Sequence, residues 1–243
     1  MKSIQEVQEA IVKEFEIFTD WLDRYEYLIE LSKDLEPLDQ KFKTNEYLIT
    51  GCQSRVWLTA KMQEGRVVYH AETDTIITKG IISLLIRILS GQKTEDVIHA
   101  DLFFIDAIGL RQNLSPTRSN GLLSMVKQMK LYALAFRELE TRNLQLETRI
   151  VEALKGVYDP EIPVNVYDLG LIYNIKVHDD HSVTITMTLT APNCPIADEI
   201  LLSVKEGVET IDEVKSVHIN LVFDPPWSKN MMSEEALLEL GFM

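Results

Sequence analysis

The chain has 243 residues, enough for one large domain or two of ordinary size, and its 46% apolar and 26% charged content is that of a globular protein, not a disordered one. Its net charge is −14, spread unevenly: residues 1–140 carry 17 basic against 21 acidic side chains, and residues 141–243 carry 7 against 17. A surface this acidic repels phosphate backbones, so nucleic acid is not expected as a partner.

The first residues do not resemble a signal peptide and none is expected, because glutamates fall where its apolar core would lie. The longest apolar stretch, Ile76 to Leu89, is broken by Lys79, Gly80 and Arg87 and is too short and too charged to span a bilayer. The expectation is a soluble, cytoplasmic protein without a membrane partner. The chain has two cysteines, Cys52 and Cys194, which make no disulfide framework and should be free thiols in a reducing compartment.

Ser3 with Glu6 reads as a capping box, and Ile4, Val7, Ile11, Phe15, Phe18 and Leu22 recur at helical spacing after it. A second helical pattern follows through Tyr27, Leu28 and Leu31. Pro37 and the polar residues to Asn45 form a loop leading to Cys52. Arg55–Met62 and Arg66–Ala71 alternate as two strands around a Glu64-Gly65 turn. Ile76–Leu89 reads as a buried helix. Ser115-Pro116 starts another, which is predicted to run to about Glu140.

The polar stretch 141–146 is the expected linker, and the pattern begins afresh after it. A helix through Ile150 and Leu154 ends near Gly156, where Asp159-Pro160-Glu161 and Pro163 break it. Ile172–Val177 and Val183–Leu189 are strands joined by the turn H-D-D-H. Pro195 opens a helix through Val204, Val214–Phe223 is a third strand, and Ser233 caps a closing helix. The fold class expected is α+β in both domains, the smaller C-terminal one with a mixed sheet of three or more strands.

Cys52 stands at the end of a loop and the start of a strand, after Gly51, which admits unusual backbone angles. Two readings are open: a thiol on a protruding loop that reaches a partner, or a small buried hydrophobe. Arg55 and Arg118 are positioned in the sequence to lower its pKa if they approach it. Cys194 lies between a strand end and Pro195, where a helix N-terminus would stabilise a thiolate. Asp159 and Glu161 are either oxygen ligands or turn residues. One cysteine with two carboxylates is a poor zinc site and an incomplete cluster site, unless two protomers share a cluster. The histidines form no cluster along the chain.

Y-L-I-E-L at 27–31, G-C-Q-S-R-V-W at 51–57, V-V-Y-H-A-E-T-D-T-I-I-T-K-G at 67–80 and L-S-P-T-R-S-N-G-L at 114–122 together resemble the SufE family, the sulfur-acceptor partners of cysteine desulfurases. The resemblance covers about residues 1–140. It implies that Cys52 accepts sulfane sulfur as a transient persulfide, supported by Gly51, Gln53, Ser54 and Arg55 in its loop. It also implies that the segment with Arg118, Asn120 and Gly121 lies near that loop. The chain departs from the family at H-A-E-T-D, where members read closer to A-D-S-D; Asp74 matches, and is expected to cap the next helix.

A-L-K-G-V-Y-D-P-E-I-P-V-N-V-Y-D-L-G-L-I-Y at 153–173, M-T-L-T-A-P-N-C-P at 187–195 and F-D-P-P-W at 223–227 are similar to the SufT/PaaD-like family, tied to iron–sulfur protein maturation. This resemblance covers residues 147–243 and implies a role for Cys194, where iron or an iron–sulfur cluster is a candidate for transient binding.

The chain is therefore read as a fusion. Residues 1–140 take sulfur from a pyridoxal-phosphate cysteine desulfurase on Cys52 and stimulate that enzyme. Residues 147–243 assist cluster assembly or delivery to scaffold or client proteins. It is a sulfur-transfer protein, not a free-standing enzyme, with no tightly bound cofactor expected. The alternatives are a non-catalytic adaptor and a cysteine hydrolase. The hydrolase needs a histidine base such as His70 or His99 beside Cys52.

Overall fold

In the computed structural model, which describes residues 2–192 and 195–242, Ser3 and Glu6 close the capping box: Glu6 N–H donates to Ser3 Oγ at 3.2 Å and Ser3 N–H to Glu6 Oε2 at 2.7 Å. They open helix α1, Ile4–Glu16. The apolar period through Leu22 predicts a longer helix. Asp20 ends that continuity, because its carboxylate accepts from Asp23 N–H at 3.0 Å and caps a separate helix α2, Trp21–Leu31. Leu22 thus belongs to α2 and is exposed.

Strands β1, Val56–Gln63, and β2, Arg66–Thr73, form the expected antiparallel hairpin, in register from Val56↔Thr73 to Gln63↔Arg66. Glu64 and Gly65 both take positive φ at its turn, 51° and 71°. Helix α3, Ile76–Leu89, is buried along most of its length, as its apolar sequence predicts. Gly80 lets it cross α2 closely: a Cβ there would fall 2.0 Å from the Leu28 carbonyl oxygen.

Three short helices follow, α4 (Thr94–Ile98), α5 (Phe104–Ala107) and α6 (Leu110–Asn113). The long helix α7 spans Pro116–Lys155. The buried hydroxyl of Tyr69 on β2 donates to the Met129 carbonyl on α7 at 2.7 Å, so strand and helix share the core through a satisfied polar contact.

Residues 141–146, read from the sequence as a linker, are helical and lie inside α7. The stretch T-R-N-L-Q-L has neither glycine nor proline, and its leucines, arginine and glutamine are good helix formers, so polarity alone does not end the helix. The chain nonetheless divides into two units between Leu139 and Glu140. Along α7, Ala133 is the last residue buried in the first core and Leu146 the first buried in the second.

The second unit contains β3 (Ile172–Val177), β4 (Ser182–Met187), α8 (Ala197–Glu209), β5 (Ser216–Leu221) and α9 (Glu234–Glu239). Strand order is β3-β4-β5. β3 and β4 pair antiparallel through the H-D-D-H turn, and β4 and β5 pair parallel, with α8 as the crossover. This is the mixed three-stranded sheet of an α+β domain. Ile150 and Leu154 of α7 pack with Val183, Ile185, Ile200 and Val204 into its core. Among the described residues, no helix is long and apolar enough to cross a membrane.

Candidate functional site around Cys52

The loop before β1 is held at both ends. On one side Ile49 N–H donates to the Val56 carbonyl at 2.8 Å. On the other, Arg55 N–H and Arg55 Nε donate to the two carboxylate oxygens of Asp74, at 3.1 and 3.0 Å. Gly51 turns the chain with φ +86°, and a side chain there would also approach Ser124 Oγ to 2.9 Å. Glycine is what this turn admits.

The turn aims Cys52 at α7. Its Sγ–H donates to the Gly121 carbonyl at 3.5 Å, and a Cβ on Gly121 would lie 3.5 Å from Sγ, in ordinary van der Waals contact. The thiol is half-buried and packs against the first core. It lies on the wall of a cavity of about 310 Å³, with Gln53, Ser54, Asp74, Thr75, Thr78, Ile81, Thr117, Arg118, Gly121 and Met125. Of the two readings open for Cys52, each holds in part: it sits on a loop, and it is shielded there.

Burial pushes the Cys52 thiol pKa up. The expectation that Arg55 and Arg118 lower it fails for a geometric reason. Arg55 is drawn to Asp74 and lies over the Trp57 ring at 5.4 Å, while Arg118 donates to the Tyr25 hydroxyl at 3.2 Å. Asp74 does not cap α3 either; Thr75 is the N-cap residue, and the Asp74 carboxylate serves Arg55.

Gln53, Ser54 and Arg118 thus share the cavity with Cys52, whereas Asn120, on α7, is exposed and outside that lining. The apolar walls of the cavity are Ile81 of α3 and Met125 of α7. Thr75 and Thr78 were not singled out. Thr75 is the N-cap residue of α3 and Thr78 lies in its first turn, and their hydroxyls meet at 2.8 Å. Ser54 Oγ lies 2.8 Å from Thr75 Oγ1 and 3.3 Å from Thr78 Oγ1, closing a triangle of hydroxyls.

No histidine lines this cavity. His70 lines a separate one with Tyr132, and His99 pairs with Glu95 on α4. The hydrolase reading lacks its base. Glu72, where the sequence departs from the family, ties the preceding loop to β2: it accepts from Lys43 Nζ at 2.6 Å and from Leu38 N–H at 2.9 Å. The Lys43 hydrogen bond and the ammonium charge hold its carboxyl pKa low against the effect of burial.

In the second unit Cys194 lies outside the described residues. Asp159 is buried, and its Oδ1 accepts from Glu161 N–H at 2.8 Å and Ile162 N–H at 3.2 Å. That is the turn reading, with a carboxylate already committed to its own backbone. Glu161 is exposed. Asp168 and Asn165 build a second turn, Asn165 Nδ2 donating to Asp168 Oδ2 at 2.7 Å and Asp168 N–H to Asn165 Oδ1 at 2.8 Å. The Trp227 indole N–H donates to the adjacent Leu169 carbonyl at 2.8 Å. Among the described residues no group of three or more His, Cys, Asp or Glu is placed to hold a metal ion.

Fold and site together define a two-unit α+β protein whose first unit keeps its thiol in a shielded loop seat. Residues 9–133 match the SufE family, described as "Fe-S metabolism associated domain", and residues 147–221 match the family described as "Iron-sulfur cluster assembly protein". The chain belongs to the SufE family, with a SufT/PaaD-like domain after it.

Individual relatives divide in the same way. An "Fe-S protein maturation auxiliary factor" of Porphyromonas gingivalis is 64% identical over 100 residues, 41% of this chain and 95% of that protein. The "Fe-S protein maturation auxiliary factor SufT" of Staphylococcus aureus is 40% identical over 85 residues, 35% of this chain and 97% of that one. "SufE-like protein 1, chloroplastic/mitochondrial" of Arabidopsis thaliana is 42% identical over 127 residues, 52% of this chain; the match spans 34% of the plant protein. These relationships support a role in iron–sulfur cluster assembly.

Proposed function

We propose that this chain accepts sulfane sulfur on Cys52 from the persulfide of a pyridoxal-phosphate cysteine desulfurase and carries it into cluster assembly. The second unit acts later, in assembly or delivery of the cluster to scaffold or client proteins, and Cys194 is its working residue. The observation that carries the reading is the Cys52 seat: a half-buried thiol donating to the Gly121 carbonyl, on the wall of a cavity with no histidine. A hydrolase needs a base at that place; a carrier needs shelter for one sulfur atom.

In the transfer, the Cys52 thiolate attacks the outer sulfur of the donor persulfide. The bond from Cys52 Sγ to that sulfur forms, and the donor's own S–S bond breaks. The donor cysteine leaves as a thiolate and takes up the proton that Cys52 lost, so no external oxidant or reductant enters. Attack requires the thiolate, and the resting seat favours the thiol. Docking of the desulfurase therefore has to lift Cys52 away from Gly121.

Incubation with a desulfurase and cysteine, followed by intact-mass and peptide analysis, should show one added sulfur atom on Cys52 and none in Cys52→Ser. Label persisting in that variant would move the acceptor to Cys194 and end this reading.

A further inference from the structure

Resting on that carrier reading, we propose that Cys52 changes partner when it is loaded: the Gly121 carbonyl holds the empty thiol, and the hydroxyls of Ser54, Thr75 and Thr78 hold the outer sulfur of the persulfide as an anion.

A carbonyl oxygen only accepts hydrogen bonds, so the Gly121 contact exists while Cys52 has a proton to give. A persulfide ionises more readily than its parent thiol. Its anion offers nothing to Gly121 and meets the oxygen's partial negative charge. The outer sulfur also extends about 2 Å beyond Sγ, one S–S bond length. It therefore has to turn from the Gly121 carbonyl into the cavity.

That cavity already has room and donors. Its volume of about 310 Å³ exceeds the need of one sulfur atom. Ser54, Thr75 and Thr78 line it and bond to one another at 2.8 to 3.3 Å. Each hydroxyl turns about its C–O bond, so the cluster can redirect a proton to an anion at the cost of one internal hydrogen bond. Two charged side chains share the lining, Asp74 and Arg118. The Asp74 carboxylate is drawn off by Arg55 and Arg118 is held at the Tyr25 hydroxyl, so the hydroxyl cluster is what meets the anion. The seat thus reads whether the carrier is empty or loaded. The loaded sulfur stays protected from oxidation and reduction until the next protein takes it.

The test loads the full chain with inorganic polysulfide, so no desulfurase is involved, and follows alkylation of both thiol and persulfide forms. Thr75 is exposed at the helix start, so Thr75→Val removes its hydroxyl without opening the core. The persulfide of Thr75→Val should alkylate about tenfold faster than that of the parent chain, the ratio expected for losing one hydrogen bond to a charged group. Its empty thiol should alkylate at the parent rate, and Thr75→Ser should restore protection of the persulfide. Equal persulfide rates in Thr75→Val and parent would overturn the proposal, as would an equal acceleration of the empty thiol. Failure of the desulfurase to load Cys52, with polysulfide loading intact, would instead overturn the carrier reading.

Discussion

Arg55 and Asp74 grip each other from both main chain and side chain. Arg55 N–H and Nε reach the two Asp74 carboxylate oxygens at 3.1 and 3.0 Å, and Asp74 N–H donates back to the Arg55 carbonyl at 3.3 Å. The pair ties the exit of the Cys52 loop to the end of β2. Because the Arg55 side chain is 67% exposed, the ion pair itself contributes under about 1 kcal/mol to stability. Its larger effect is on the loop. Asp74→Asn keeps an acceptor but loses the charge, and Asp74→Ala loses both. Cys52 alkylation should rise in the order parent, Asn, Ala, with the melting temperature nearly unchanged. A flat series would mean that Gly121 and the cavity walls hold the loop by themselves.

Burial raises the Cys52 pKa, so the folded chain favours the protonated thiol. A group whose folded pKa lies above its unfolded value contributes stability that is complete below the unfolded pKa. That contribution is lost as pH rises through the folded pKa. The window opens at the ordinary thiol value, about 8.5. Stability should therefore fall with pH above that point more steeply in the parent than in Cys52→Ser. The alkylation midpoint of the folded chain should also exceed that of the chain in urea. A folded midpoint at or below the unfolded one would show a charge near Cys52 outweighing burial.

The β-hairpin was legible because alternation and Glu64-Gly65 are local signals, and the mixed sheet was read from the mixed order of strands and helices. The break between α1 and α2 was not, since Phe18 and Leu22 continue the apolar period across Asp20, and one capping carboxylate decides against it. Polar residues 141–146 looked like a linker because polarity was taken for a boundary, whereas a helix stops at breakers and caps. Cys52 stood out as a loop thiol, and the family resemblance brought the Gly121 segment near it, as the structure does. Met125 and Ile81 come to it from helices distant in sequence, and only packing brings them there.

Gly80 supplies a test of that packing away from the thiol. An added methyl would meet the Leu28 carbonyl oxygen at 2.0 Å, a backbone atom that cannot rotate aside. The helices α2 and α3 must then separate. Gly80→Ala should cost about 1–3 kcal/mol in urea unfolding, as overpacked cores do. A cost below about 0.5 kcal/mol would mean the crossing yields easily.

Asp159 separates a turn from a ligand. As a turn residue, it needs one oxygen to accept from Glu161 and Ile162 N–H. Asp159→Asn retains that oxygen and should keep nearly all stability, while Asp159→Ala should lose about 1–2 kcal/mol by leaving two backbone donors without their partner. If Asp159 also held iron or a cluster, Asn and Ala would both abolish maturation of a client protein. Client activity preserved in the stable Asn variant therefore assigns Asp159 to the fold.

The division of labour between the two units gives the last prediction. On α7 the first core ends with Ala133 and the second begins with Leu146, so a fragment of residues 1–139 keeps every buried residue of the first core. It also keeps the Tyr69–Met129 hydrogen bond and the whole lining of the Cys52 cavity. Since transfer to Cys52 uses one thiol, this fragment should fold, alkylate at the parent rate and stimulate the desulfurase as the full chain does. Cys194→Ser in the full chain should leave that stimulation unchanged and lower the activity of a cluster-dependent client. Circular dichroism melting of the fragment comes first, so that loss of stimulation is read only from a folded protein. A folded fragment that fails to stimulate would place part of the acceptor machinery in the second unit. Loss of stimulation in Cys194→Ser would make Cys194 a partner of Cys52 in accepting sulfur.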